Sequence, residues 1–205
     1  MNNLIKEKML NGETVLGTFF NLGGSTAAEC LGIAGLDFFI IDTEHGPFDV
    51  ESSMDFIRAA ELRGMTPLVR VKESSRSSIP NSMDEYFKTC NEKTMILLQC
   101  ETQGCLNDIE EIVKLDGIDG IFIGPYDLSI GMGKAAQFTD PEFTKAITRI
   151  VKACKDAGKF VFIYSADSNT AKKHLADGFN GIAINMDVMV YINAFKSIIK
   201  EVRNI

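Results

Sequence analysis

Seven short apolar runs punctuate this chain, and amphipathic stretches separate them. The runs are TVLGTFFNL (14–22), FFIID (38–42), PLVRV (67–71), TMILLQCE (94–101), GIFIG (120–124), FVFIYS (160–165) and GIAIN (181–185). Continuous apolar residues over four to eight positions describe strands buried on both faces. Between them lie helix patterns. STAAECLGIAG (25–35) opens with a Ser in capping position and closes on Gly35, and DVESSMDFIRAAELRG (49–64) is capped by Asp49 and stopped by Gly64. DPEFTKAITRIVKACKDAG (140–158) has Asp140 as cap, Pro141 at its first position, and one apolar face made of Phe143, Ile147, Ile150, Val151 and Cys154. Further helices are expected over 107–115, near 168–177 and, last, up to about Val202 with Phe195, Ile198, Ile199 and Val202 on one face, with a less distinct one from about Ser82 after the break at Pro80. MNNLIKEKML reads as a short charged helix start rather than a signal peptide.

Buried strands joined by helical crossovers form parallel sheets. A (β/α) barrel and an open doubly wound sheet both fit this alternation. No G-x-G-x-x-G follows the first strand, which weakens a dinucleotide-binding sheet. No linker, repeat or low-complexity segment divides the 205 residues, so one domain spanning 1–205 is expected. The formal net charge of −7 argues against nucleic acid or an anionic membrane as partner. Five cysteines (Cys30, Cys90, Cys100, Cys105 and Cys154) form no C-x-x-C pair. Their odd number and spacing favour free thiols in a reducing cytoplasm over a disulfide framework or zinc site.

A barrel places function at the C-terminal ends of its strands, and polar residues gather there. The second strand runs into Asp42, Glu44 and His45; the third carries Arg70; the next ends in Gln99 and Glu101; GIFIGPYDLS brings Asp127 just past its strand. Glu101 and Asp127 are hard oxygen ligands suited to Mg²⁺ or Mn²⁺. Arg70 can present a planar fork to a carboxylate. His45 is a candidate general base, and Asp42 could orient its ring. A metal that polarises a carbonyl beside a base supports proton removal alpha to that carbonyl. Taken singly, each carboxylate reads as well as a helix cap or surface group, and Arg70 as a structural ion pair; their shared position gives the set its meaning. His174, in AKKHLADG, falls among lysines on an amphipathic helix and reads as a surface residue.

FFIIDTEHGPFD resembles the IDxEHxP motif of the HpcH/HpaI aldolases, metal-dependent class II enzymes that cleave or form 4-hydroxy-2-oxo acids using pyruvate. PLVRV resembles that family's PxVRV strand, LLQCET its LxQxET/S strand, and DGIDGIFIGPYDLSIGMG its GxDxxFxGPxDLSxxLG segment. The resemblance implies a TIM-type (β/α) barrel of the phosphoenolpyruvate/pyruvate superfamily. It implies His45 as base supported by Asp42, and Arg70 on the pyruvate oxygens. Glu101 and Asp127 would hold Mg²⁺, Mn²⁺ or Co²⁺, with Gln99 beside the oxo acid and Glu44 outside the metal's ligands. Backbone N–H groups around Tyr126 and Asp127 would receive the pyruvate carboxylate. An aldehyde is the second substrate. A homo-oligomer is implied, a hexamer built as a trimer of dimers that exchange C-terminal helices.

One departure is large. Such barrels have eight strands and about 250 residues; here seven strands are legible. Between PxVRV and LxQxE the family carries another strand, a helix and a YPPxGxRG loop, whereas this chain has only KESSRSSIPNSMDEYFKTCNEK. About one β/α unit, the fourth, is expected to be missing between about 72 and 93. Two other readings follow: a catalytically impaired relative that binds only metal or 2-oxo acid, or a citryl- or malyl-CoA-type lyase on the same scaffold.

Overall fold

A computed structural model describes residues 3–71 and 94–203. The helix α1 (Leu4–Leu10) is capped by Asn3. There follow β1 (Val15–Phe20), α2 (Ser25–Ile33), β2 (Phe38–Asp42), α3 (Val50–Leu62) and β3 (Thr66–Arg70). After the undescribed segment come β4 (Leu97–Cys100), α4 (Gln103–Asn107), α5 (Ile109–Ile112), β5 (Gly120–Ile123) and α6 (Pro125–Gly131). The chain ends with α7 (Pro141–Asp156), β6 (Phe160–Ser165), α8 (Ser168–Ala176), β7 (Gly181–Met186) and α9 (Asp187–Arg203).

All seven expected strands are present; β1, β4 and β5 are shorter than expected, β3 begins and ends one residue earlier, and β7 runs one residue further. Three helical details differ. Ser25 is the first residue of α2 rather than its cap; Gly24 holds that position with no side-chain cap bond. The helix expected over 107–115 is two short pieces that meet at Asp108. The helix α6 was not anticipated, although Pro125 at its first position suits a helix start. Asp49 and Asp140 do cap α3 and α7: Asp49 accepts the Ser52 N–H at 2.9 Å and Asp140 the Glu142 N–H at 2.8 Å. The helix expected from about Ser82 lies outside the described residues.

The strands form one parallel sheet in the order β3-β2-β1-β7-β6-β5-β4. Side chains alternate across it. Phe20, Phe39 and Ile41 point outward to α3 residues such as Phe56 and Ala60. Ile121, Ile123, Val161 and Ile163 point outward to Phe143, Ile150 and Cys154 of α7. The opposite face curls into a barrel interior. There Val15, Phe38, Phe122 and Phe162 pack together, and Ile5 and Met9 of α1 are buried against them. Leu68 of β3 and Leu97 of β4 join this same inner cluster. The two end strands therefore approach one another, yet among the described residues no ladder bonds join them. A cavity of about 510 Å³ lies at this seam, lined by Met65 to Val69 and by Thr94 and Met95. Among the described residues the sheet is a curled half-barrel of seven strands, open between β3 and β4. Burial follows: β2 and β5 are buried throughout, while Val69 on β3 is 40% exposed.

Among the described residues the cysteines are free thiols; Cys90 lies outside them. No described helix is long and apolar enough to cross a membrane.

Candidate active site

The C-terminal ends of β2 and β3 are paired, Asp42 opposite Arg70. This register brings a carboxylate and a guanidinium together on the inner face. Asp42 Oδ1 accepts Arg70 Nε–H at 2.9 Å, and its Oδ2 accepts from Arg70 Nη2. Asp42 Oδ1 also accepts the backbone N–H groups of Glu44 and His45, both at 3.0 Å. One buried carboxylate thus fixes both Arg70 and the turn that carries His45. Burial alone would raise its pKa; the Arg70 and His45 hydrogen bonds outweigh that and hold it below its ordinary value. Burial likewise opposes the Arg70 charge, and Asp42, Glu44 and Glu101 more than restore it.

The His45 side chain is 72% exposed, and its Nδ1 lies 2.6 Å from Arg70 Nη2. A guanidinium only donates, so Nδ1 accepts here and the ring proton sits on Nε2. Asp42 reaches His45 through its backbone N–H; no ion pair joins Asp42 to the ring. Glu44 Oε2 stands 3.4 Å from Arg70 Nε and 4.0 Å from His45 Nδ1.

Across the mouth, Gln99 lies near the end of β4 and Glu101 directly follows it, and Gln99 Nε2 donates to Glu101 Oε1 at 2.8 Å. Gly124 follows β5 and leaves room for this carboxylate: a Cβ there would stand 2.5 Å from Glu101 Oε1. Asp127 lies in the first turn of α6. Burial raises the Glu101 pKa, and the Asp127 charge raises it further; Glu44 adds to this while Arg70 and His45 oppose it. Glu101 therefore feels groups from the ends of β2, β3 and β5 together. Two carboxylates that repel each other in a half-buried site suit a hard divalent cation completed by water and substrate oxygens. The described residues hold no group of three or more His, Cys, Asp or Glu that could bind a metal alone. The N–H groups of Tyr126 and Asp127 stand in the first turn of α6, where no helical carbonyl reaches them.

The eight residues picked out in the sequence thus fall at one end of the sheet. His174 does not match its reading. It is half-buried, its Nδ1 lies 2.7 Å from the buried Ser165 Oγ, and its ring packs 5.2 Å from Phe179. Burial lowers its pKa. The neighbouring lysines do face solvent, but the helix turns His174 toward β6. Asp187 was passed over. It is buried and accepts the N–H groups of Asn21 at 2.8 Å and Leu22 at 3.1 Å, tying the loop after β1 to the end of β7. An acid directly after an apolar strand, in INMD, was the available signal.

The model of the HpcH/HpaI aldolase/citrate lyase family matches residues 77–194, more than half of the chain. A hydroxypyruvate/pyruvate aldolase of Roseobacter denitrificans is 28% identical over 244 aligned positions, covering 96% of this chain and 95% of the relative. A 2-keto-3-deoxy-L-rhamnonate aldolase of Klebsiella pneumoniae is 26% identical, covering 95% and 91%. Among solved structures, an HpcH/HpaI aldolase/citrate lyase family protein of Burkholderia cenocepacia superposes with a TM-score of 0.88 at 25% identity, covering 99% of this chain and all of that one. The CitE protein of Mycobacterium tuberculosis, in complex with magnesium and pyruvate, shares the fold at a TM-score of 0.55 and 15% identity, covering 86% and 87%.

Proposed function

Because the chain belongs to the HpcH/HpaI aldolase/citrate lyase family, and its relatives are named as aldolases, we propose that it is a divalent-metal-dependent aldolase acting on 4-hydroxy-2-oxo acids through a pyruvate enolate. The observation that carries this is the position of Glu101, which feels Asp127, Arg70, Glu44 and His45 at once. This supports a reading in which a cation site, an oxo-acid clamp and a base would share one space. The magnesium and pyruvate bound to CitE support the choice of ligands.

Glu101 and Asp127 would hold Mg²⁺, Mn²⁺ or Co²⁺, which when bound supplies Lewis-acid polarisation of the oxo-acid carbonyl. Arg70 binds the oxo acid's oxygens. Gln99 lies beside it and steadies Glu101, and the Tyr126 and Asp127 N–H groups receive its carboxylate. Glu44 acts from outside the ligands, on Arg70. His45 moves the proton. In the free protein its one unprotonated ring atom, Nδ1, is engaged by Arg70. An oxo acid that draws the guanidinium onto its own oxygens releases Nδ1 to act as base. In cleavage, Nδ1 takes the 4-hydroxyl proton, the C3–C4 bond breaks, the aldehyde leaves, and the pyruvate enolate is then protonated at its methyl carbon.

The domain reading stays with this proposal: one barrel domain over 1–205, lacking the family's fourth β/α unit between about 72 and 93. The alignment to the Roseobacter relative runs over 244 positions, more than this chain contains, so residues of the relative lack a counterpart here. A homo-oligomer is also proposed. Phe195, Ile198, Ile199 and Val202 on α9 are each at least 45% exposed, an apolar face suited to a second subunit. A reducing cytoplasm is the proposed location, on the free thiols.

The test is cleavage of a panel of 4-hydroxy-2-oxo acids across a metal series. Pyruvate release that needs a divalent ion supports the reading, and full activity in chelator contradicts it. The lack of a ladder between β3 and β4 among the described residues favours a second reading, an impaired relative that binds but does not turn over. Cleavage above that of His45→Ala rejects it. A citryl- or malyl-CoA-type lyase ranks below both, since CitE is the more distant structure.

A further inference from the structure

Four aromatic rings lead away from Arg70 in an unbroken run. Phe19 lies beneath the guanidinium, 5.8 Å from Cζ to its ring centre. Tyr164 meets Phe19 edge-on at 6.0 Å, Tyr126 lies 6.5 Å from Tyr164, and Phe138 meets Tyr126 edge-on at 4.8 Å. Strand parity puts Phe19 and Tyr164 on the inner face, because Phe20 and Ile163 beside them pack outward. At its far end the run opens on a cleft of about 580 Å³ between α7 and α8, walled by Tyr126, Tyr164, Phe138, Phe143, Ile147 and Val151 among others. That volume falls in the range that accommodates a small organic ligand.

Phe19 and Tyr164 pack on the inner core, but core packing does not account for the outer half of the run. Tyr126 is 49% exposed and Phe138 36% exposed. Neither the Tyr164 nor the Tyr126 hydroxyl is a buried group left without a partner, so both phenols can exchange water for a ligand. Half-exposed rings next to a charged clamp, leading into an apolar cleft, form a surface shaped for something apolar that begins at the clamp.

We propose that this run is the subsite for the acceptor aldehyde, and that the protein prefers aldehydes carrying an aryl group to short hydroxylated ones. The inference rests on the aldolase reading and adds to it the class of aldehyde. The carbonyl end lies beside Arg70 and the oxo acid, and the aryl tail follows the rings toward the cleft. An edge-to-face contact with Tyr164 or Tyr126 favours an aryl tail beyond its area alone. Along the four rings a hydroxylated tail loses water against Phe19 and Phe138 and meets only the two phenols; the polar groups of the cleft, such as Thr144, Asn169 and Lys173, lie beyond them.

The test compares kcat/KM for cleavage of two adducts of pyruvate, one with benzaldehyde and one with glycolaldehyde. The wild type is expected to favour the benzaldehyde adduct about tenfold or more. That ratio should fall toward one in Tyr164→Leu and in Phe138→Ala. It is taken within each protein, so damage shared by both substrates divides out. A wild-type preference for the glycolaldehyde adduct, or an unchanged ratio in both variants, overturns the proposal. If neither adduct is cleaved, the aldolase reading fails separately and binding decides the subsite. The chain has no tryptophan, and two of its four tyrosines, Tyr126 and Tyr164, lie on the run, so the part of the tyrosine emission that is lost in Tyr164→Leu reports on it. Titration with benzyl alcohol should quench it in the wild type, with at least about fivefold weaker affinity in Phe138→Ala. No quenching, or equal affinity, overturns the subsite as well.

Discussion

The two sides of the barrel mouth solve opposite electrostatic problems. On the β2–β3 side the charges already answer one another. Asp42 holds Arg70 and two backbone N–H groups, and its pKa is drawn down. On the β4–β5 side Glu101 faces Asp127, and its pKa is pushed up by burial and by that like charge. A satisfied network fixes geometry; an unsatisfied pair of acids stores affinity for a cation. On the proposed reading the first side orients the reacting groups and the second would hold the cation.

That comparison can be broken from either side. The largest effect is expected from Asp127→Asn, which removes the repulsion and a proposed ligand together. Aldol cleavage should be lost at ordinary metal concentrations, and isothermal titration should show weaker Mn²⁺ binding than in the wild type. Unchanged Mn²⁺ affinity would refute the assignment of this side to metal. His45→Ala should slow cleavage by roughly 10²–10⁴-fold while leaving Mn²⁺ affinity near its original value, since the ring belongs to the other side.

Asp42→Asn attacks the satisfied side. Breaking one partner of a buried ion pair costs about 3–5 kcal/mol, so denaturant melts at neutral pH should show the variant well below the wild type. The sign with pH follows from the lowered pKa of Asp42. Its stabilisation is complete above the unfolded carboxylate value of about 4 and is lost as pH falls through the lower folded value. The difference between the two proteins should therefore shrink below about pH 4. A gap independent of pH would show that the loss is one of packing instead. The smallest effect is expected from Gln99→Leu, which removes a single bond to Glu101. A change of less than about tenfold in cleavage rate is predicted.

Most of this arrangement was legible in the sequence, because it rests on periodicity. Continuous apolar runs gave the parallel strands, and a parallel sheet sends every strand's C-terminal end to one side. Asp42, Arg70, Glu101 and Asp127 could therefore be grouped without coordinates. What could not be seen was which group touches which. The Asp42–Arg70 bond depends on the β2–β3 register, and a polar turn after FFIID does not reveal whether a carboxylate faces a ring or a backbone. His174 was misread because its lysine neighbours are exposed, while its partner Ser165 stands on the strand before it. The proposed loss of a β/α unit rests on a short connection. That β3 and β4 share no ladder among the described residues required the sheet order itself.

The central claim is that both sides act together on pyruvate. Exchange of its methyl protons with solvent deuterium, followed by NMR with no aldehyde present, tests this most directly. The account predicts exchange that requires a divalent cation and is suppressed in both His45→Ala and Asp127→Asn. Exchange that persists in chelator, or that is equally fast in those two variants, would contradict it.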